Sequence, residues 1–268
     1  MPDTQSPPAI VRGHGRILGS TAARLVAGTL DLVFPPVCAG CGTEGDALCD
    51  RCLPALGVRS EVSPGVPIGL PADLPAPLVQ LEWCAPFNGV VRRALHGLKY
   101  GGEGRLAEPL GRAVARRWRE AGADGDLVVP VPVHAERARR RGFDQAVLLA
   151  GVVARELGIP TVLALERRRA TVAQFSLGHD ERAANVRDAF RVSDGPAAGR
   201  QAGRRGLGRT GGSDGADGAP AVEDALRGRW IVLIDDVVTT GATLAACADA
   251  LLAGGAAAVS AVTVARER

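Results

Sequence analysis

The chain has 268 residues, 46% of them hydrophobic and 23% charged, enough to bury one sizeable core in a soluble α/β protein. Its net charge of +3 and pI near 8.7 permit phosphorylated ligands or nucleic acid but fall short of the strongly basic balance of dedicated DNA-binding domains. No run approaches the roughly 20 apolar residues of a membrane span, so insertion into a membrane is not expected.

In chain order, Met1 to Gly15 contains Ser6-Pro7-Pro8 and predicts a loose tail. Ile17, Leu18, Leu25, Val26, Leu30 and Val33 form one stripe of an amphipathic helix, so residues 1–33 are read as tail plus helix. Arg24 interrupts the apolar run and no small-residue cleavage site follows, which argues against an export signal and for a cytoplasmic location.

Residues 34–59 carry four of the six cysteines as Cys38-Ala39-Gly40-Cys41 and Cys49-Asp50-Arg51-Cys52. Two such knuckles make a tetrahedral thiolate site for Zn²⁺, with Gly40 and Gly42 allowing the tight backbone that lets the sulfurs converge. The short gap between the pairs implies a small zinc ribbon; two disulfides or free thiols are the alternatives. Cys84 and Cys247 read as small buried hydrophobes. Residues 60–85 are rich in Pro and Gly and read as a linker to a main domain over 86–268.

The main domain opens with a helix from Phe87 to His96, followed by a glycine turn holding Lys99 and Tyr100, each the sole residue of its type in the chain. Where arginine fills the other basic positions, a single lysine suggests that an ammonium is specifically needed, though a chance survivor on a solvated face is as good a reading. Leu106, Leu110, Val114 and Trp118 then mark a helix over 106–120. Asp126 to His134 is a buried strand ended by Pro130 and Pro132. The loop after it carries Arg137, Arg139, Arg140 and Arg141, and leads into an amphipathic helix through Leu157 and a strand from Ile159. This strand-loop-helix-strand unit belongs to a parallel sheet. Its basic loop lies beyond a strand's carboxyl end, where such sheets bind ligands, so pyrophosphate suits the arginines; a solvated face or a DNA-backbone contact are the other readings. Residues 193–221, crowded with Gly, Ala, Asp and Arg and without aromatics or period, read as a disordered insertion.

Ile231 to Ile234 is a continuous apolar run that predicts a second buried strand. Asp235 and Asp236 follow at its tip, then Thr239, Thr240, Gly241, Ala242 and Thr243, then an Ala/Leu-rich helix to Leu252 and a last β-branched strand over 257–265. Hydroxyls and N–H groups at a helix N-terminus bind phosphate. The paired carboxylates can accept hydrogen bonds from sugar hydroxyls or hold a hard cation such as Mg²⁺. Together they point to a ribose 5-phosphate. An apolar strand ending in Asp-Asp also occurs in P-loop ATPases and receiver domains, but the position of the single lysine suits neither.

The strand, acid pair and Thr/Gly loop resemble the motif by which type I phosphoribosyltransferases bind phosphoribosyl pyrophosphate (PRPP). The resemblance implies that Asp235 and Asp236 contact the ribose hydroxyls and that residues 239–243 cradle the 5-phosphate. Val129-Pro130-Val131-Pro132-Val133-His134 followed by the arginines and Gly142-Phe143-Asp144-Gln145 resembles the ComF family, amidophosphoribosyltransferase-like proteins linked to bacterial DNA uptake. Leu98-Lys99-Tyr100, Arg169 to Gln174, Glu181-Arg182 with Asn185, and the cysteine knuckles fall in that family's order. Asp144 stands where the family more often has Asn, and Val172-Ala173 where it has two prolines.

The resemblance implies an α/β fold, a parallel sheet flanked by helices with a small N-terminal zinc ribbon. It also implies a closing loop over 167–188. Lys99, His134, the four arginines of 137–141, Arg169, Gln174 and Arg182 are then candidates for pyrophosphate or substrate. Three functions fit: a phosphoribosyltransferase using PRPP with Mg²⁺; a non-catalytic DNA-uptake factor whose zinc ribbon and arginine loop grip single-stranded DNA and a helicase partner; and a regulator with PRPP or a nucleotide as effector.

Overall fold

In the computed structural model the described residues are 35–64, 74–133, 144–167, 189–195, 197, 199–200 and 220–267. Strands β1 (Leu81–Pro86), β8 (Ala258–Arg266), β7 (Trp230–Val238), β2 (Leu127–Pro130), β3 (Thr161–Val162) and β6 (Gly199–Arg200) form one sheet in that order. All neighbours are parallel except β6, which runs antiparallel to β3 at the edge. β4 (Leu165–Arg167) and β5 (Phe190–Val192) make a separate antiparallel pair. A parallel sheet is covered on both faces, which is why β2, β7 and β8 read as nearly unbroken apolar runs.

Alternation along β7 divides the core. Val232 and Ile234 pack with helices α1 (Gly89–Tyr100), α2 (Ala107–Glu120) and α3 (Gln145–Leu157) on one face. Ile231 and Leu233 pack with α5 (Ala242–Ala253) and the short α4 (Val222–Leu226) on the other. The predicted stripe is buried throughout, at Leu106, which precedes α2, and at Leu110, Val114 and Trp118 within it. Among the described residues no helix is long and apolar enough to cross a membrane.

Several elements differ from the sequence reading. α1 does not stop at His96 but runs to Tyr100, so Lys99 lies on a helix rather than in a glycine turn. β7 does not end at Ile234: β8 continues beside it to Arg266, so the acid pair sits inside the strand. Leu81–Pro86, which but for Pro86 falls in the segment read as linker, is an edge strand on β8. It was concealed by Glu82, a fully buried glutamate whose carboxylate accepts from Arg117 at 2.7 and 3.0 Å. Within the stretch read as a disordered insertion, Gly199–Arg200 pairs with β3, while residues 201–219 lie outside the described residues.

The cysteine segment shares the core of the main sheet: Cys38, Leu48, Cys52 and Leu56 pack in the same cluster as α1 and α2. Arg93 of α1 donates to the carbonyls of Ala39 and Gly40 at 3.3 and 2.6 Å.

Candidate functional site

From β2 the chain crosses through α3 to β3; from β7 it crosses through α5 to β8, in the opposite direction along the sheet and over the opposite face. The carboxyl ends of β2 and β7 therefore flank a switch point, where open α/β sheets leave a crevice for ligands. β2 and β7 pair only as far as Pro130 and Ile234, with a last bond from Val131 N–H to the Ile234 carbonyl. β7 then runs on against β8 alone, carrying Asp235 and Asp236 past the end of β2.

Period-2 alternation sends the two carboxylates to opposite faces. Asp236 turns toward α1 and α3. Its Oδ1 lies 2.9 Å from Lys99 Nζ and its Oδ2 accepts from Gln145 Nε2 at 3.3 Å. The ion pair is largely withdrawn from solvent, with side-chain exposures of 21% for Lys99 and 8% for Asp236. Asp235 turns toward α5 and its buried Cys247, and its Oδ1 accepts the Asp236 N–H at 2.8 Å. Burial, then the neighbouring Asp236 carboxylate, push Asp235 up to about 8 against the opposing pull of the Asp236 N–H and Lys99. Its carboxyl is therefore largely protonated at neutral pH.

Asp144 joins this group as the N-cap of α3, accepting from Ala146 and Val147 N–H at 2.9 and 3.3 Å. Burial raises its carboxyl, outweighing those N–H bonds, and the nearby Asp236 adds in the same direction. An asparagine there would cap equally well, so the departure at Asp144 preserves the helix start.

Downstream, Thr239 and Thr240 are exposed, Gly241 is buried at φ 82°, and α5 begins at Ala242 without a side-chain cap from Gly241. Ala242 N–H approaches Thr240 Oγ1 at 3.4 Å. Pro75 walls this turn: a Cβ on Gly241 would meet Pro75 Cγ at 2.6 Å. Hydroxyls and free amides thus lie at the start of a 12-residue helix, groups of the kind that can receive an anion.

Of the sequence-predicted residues, the structure pairs Asp236 with Lys99, turns Asp235 to the opposite face beside Cys247, and starts α5 within Thr239 to Thr243. Lys99, expected with the pyrophosphate candidates, instead meets Asp236. His134, Arg137, Arg139, Arg140, Arg141, Arg169, Gln174 and Arg182 lie outside the described residues. Gln145, Asp144 and Pro75 had no assigned role; the first two stood next to the basic loop, but nothing in the sequence marked Pro75.

The acid pair does not fit a divalent cation as it stands. Its carboxylates diverge, one is ion-paired, and among the described residues the four cysteines are the one group of three or more Cys, His, Asp or Glu placed to hold a metal. Those cysteines do fit zinc. The sulfurs of Cys38, Cys41, Cys49 and Cys52 all lie within 4.8 Å of one another. Cys41 and Cys49 are 3.6 Å apart, against roughly 3.8 Å for a tetrahedron with Zn–S bonds near 2.3 Å. None of the four is in a disulfide. Cys38 Sγ accepts N–H groups from Gly40 and Cys49, each at 3.4 Å. Although burial opposes it, N–H donation lowers the Cys38 thiol to about 6. Gly40 is required: a Cβ there would meet Cys52 Sγ at 2.5 Å.

Comparison with known proteins agrees with this architecture. A phosphoribosyl transferase domain matches residues 144–268. DNA utilization protein YhgH of Escherichia coli (strain K12) is 30% identical over 230 residues, covering 83% of this chain and 86% of the relative. Competence protein F of Haemophilus influenzae is 28% identical over 120 residues, covering 44% and 41%. This chain belongs to the ComF family. Its ComF framework accounts for the joint presence of the four-cysteine cluster and a phosphoribosyltransferase-like sheet. The allosteric regulatory enzyme of purine biosynthesis overlaps 63% of this ComF-family chain and 30% of its own at 16% identity, with a TM-score of 0.38, too loosely to bear on function.

Proposed function

We propose that this protein binds PRPP or a related ribose 5-phosphate at the β2/β7 crevice and transfers the phosphoribosyl group with release of pyrophosphate. The observation that carries the reading is the acid pair running past the end of β2 and directly into the Gly241 turn at the start of α5. Asp236, held as an acceptor by Lys99 and Gln145, takes a hydrogen bond from one ribose hydroxyl, and protonated Asp235 donates to the other. Thr239, Thr240, Thr243 and the amides of the helix start receive the 5-phosphate. A nitrogen nucleophile forms its bond to C1 as the C1–O bond to pyrophosphate breaks, the pyrophosphate leaving with the electron pair.

On this reading the candidates for neutralising pyrophosphate are His134, Arg137, Arg139, Arg140 and Arg141, joined by Arg169, Gln174 and Arg182 of the following loop. Mg²⁺, which offsets pyrophosphate charge when bound, comes with the pyrophosphate rather than with the acid pair. Rate then derives from positioning and charge stabilisation. The cysteine cluster holds structural Zn²⁺.

The names of the relatives, DNA utilization protein and Competence protein F, favour a second reading. In it the fold is a non-catalytic factor in DNA uptake that binds single-stranded DNA and a helicase partner through the cysteine module and the arginine loop. Pyrophosphate release from PRPP, measured against a panel of bases and amines, separates the two. Turnover abolished by Asp235→Asn with Asp236→Asn supports the transferase. No turnover with any acceptor, together with salt-dependent DNA binding that survives those changes and is lost in Arg139→Ala with Arg140→Ala, supports the uptake factor.

A further inference from the structure

Resting on the ribose-phosphate reading, we infer that Lys99 is the resident cation of the acid pair. It takes the place of a divalent metal there, so the sugar end of the ligand is bound without Mg²⁺.

Three observations combine. First, Asp236 has no unengaged oxygen: Lys99 Nζ lies 2.9 Å from Oδ1 and Gln145 Nε2 donates to Oδ2 at 3.3 Å. Each oxygen keeps a second lone pair, enough to accept from a sugar hydroxyl, but a cation taking it would sit beside the Lys99 ammonium, whose like charge opposes it. Second, Asp235 points to the opposite face, and one of its oxygens already accepts the Asp236 N–H, so the pair is better disposed to meet two separate hydroxyls than to close on one ion. Third, the ammonium is already delivered to the site. Lys99 projects from the last turn of α1, whose Leu95 and Leu98 are fully buried in the core, and a second cation within a few ångströms of it would be repelled strongly in a partly desolvated site.

The chemistry selected is a neutral vicinal diol. One hydroxyl donates to Asp236 and the other meets Asp235, while the Lys99–Asp236 pair leaves little net charge to attract a metal. Lys99 is then a positioning residue, acting through Asp236. This gives the sole lysine of the chain a role that arginine fills poorly: a compact point charge on one oxygen, where a planar fork would claim both.

The test titrates ribose 5-phosphate, which lacks pyrophosphate and so isolates the acid pair, into the full-length protein. Titrations are run in metal-free buffer with EDTA and again with Mg²⁺. The wild type is expected to bind equally in both, within about twofold. Lys99→Gln, checked for folding by circular dichroism, is expected to lose about tenfold or more in EDTA and to recover with Mg²⁺, because the vacated position beside Asp236 then admits a hydrated cation on that one carboxylate. A purely structural lysine predicts a loss that Mg²⁺ does not restore, which overturns the inference. Wild-type binding that appears only with Mg²⁺ also overturns it while leaving the ribose-phosphate reading intact, and this arm needs no variant. Absence of binding in both buffers overturns that reading and the inference together.

Discussion

Gly241→Ala tests whether the turn after the acid pair is built as described, and the structure separates its cost into two parts. Gly241 holds φ 82°, where an L side chain is strained by about 1–2 kcal/mol. The new Cβ would also stand 2.6 Å from Pro75 Cγ, and relieving such overpacking costs about 1–3 kcal/mol. The single variant should therefore lose about 2–5 kcal/mol in urea unfolding. Pro75→Ala with Gly241→Ala removes the collision but not the backbone strain, so the double variant should recover the steric share and keep a deficit of about 1–2 kcal/mol. Phosphate binding should weaken in both, since the backbone strain that shifts the first amides of α5 remains. If Gly241→Ala melts like the wild type, or if Pro75→Ala rescues nothing, the placement of Pro75 against the turn is wrong.

Cys38→Ser with Cys49→Ser should abolish stoichiometric zinc, measured by metal analysis of the purified protein; undiminished zinc would refute the ligand set. Because Asp235 titrates near 8 when folded against about 3.9 unfolded, the folded state binds the extra proton between those values. That contribution to stability is fully present below about pH 4 and is lost as pH rises to about 8. Asp235→Asn should flatten this slope and be more stable than the wild type at pH 8; a variant that still loses stability at the same rate would remove Asp235 as the cause. Glu82→Gln should cost about 3–5 kcal/mol, because Arg117 and Arg59 are buried against that carboxylate at 2.7 and 3.5 Å. Glu108→Gln, whose pairs with Arg112 and Arg155 are exposed, should cost less than about 1 kcal/mol. Equal costs in the two variants would contradict the burial argument.

Features that repeat locally were legible in the sequence. Strands β2, β7 and β8 are buried on both faces and so announce themselves as apolar runs, and α2 shows its stripe at Leu106, Leu110, Val114 and Trp118. The cysteine cluster was legible because metal-binding chemistry fixes ligand spacing. Features that depend on distant partners were not. β1 contains Glu82, which reads as solvent-facing until Arg117 is placed beside it. Gly97 suggested the end of α1, yet the helix passes through it; the glycine there answers to close packing, since a Cβ would meet Glu103 Oε2 and Leu106 Cδ1, each at 3.0 Å. β7 extends past its apolar run because β8 continues alongside, a fact of register and not of residue type. Composition flagged Lys99 as unusual, but only the crossing of α1 over the sheet pairs it with Asp236.

The central claim, that the acid pair and the following turn form one site for a ribose phosphate, is tested most directly by calorimetric titration of PRPP into the purified, folded protein. Saturable binding at one site per chain, lost in Asp235→Asn with Asp236→Asn while the fold is retained, is the predicted result. The absence of any binding heat with and without Mg²⁺, or undiminished affinity in the double variant, would contradict the claim.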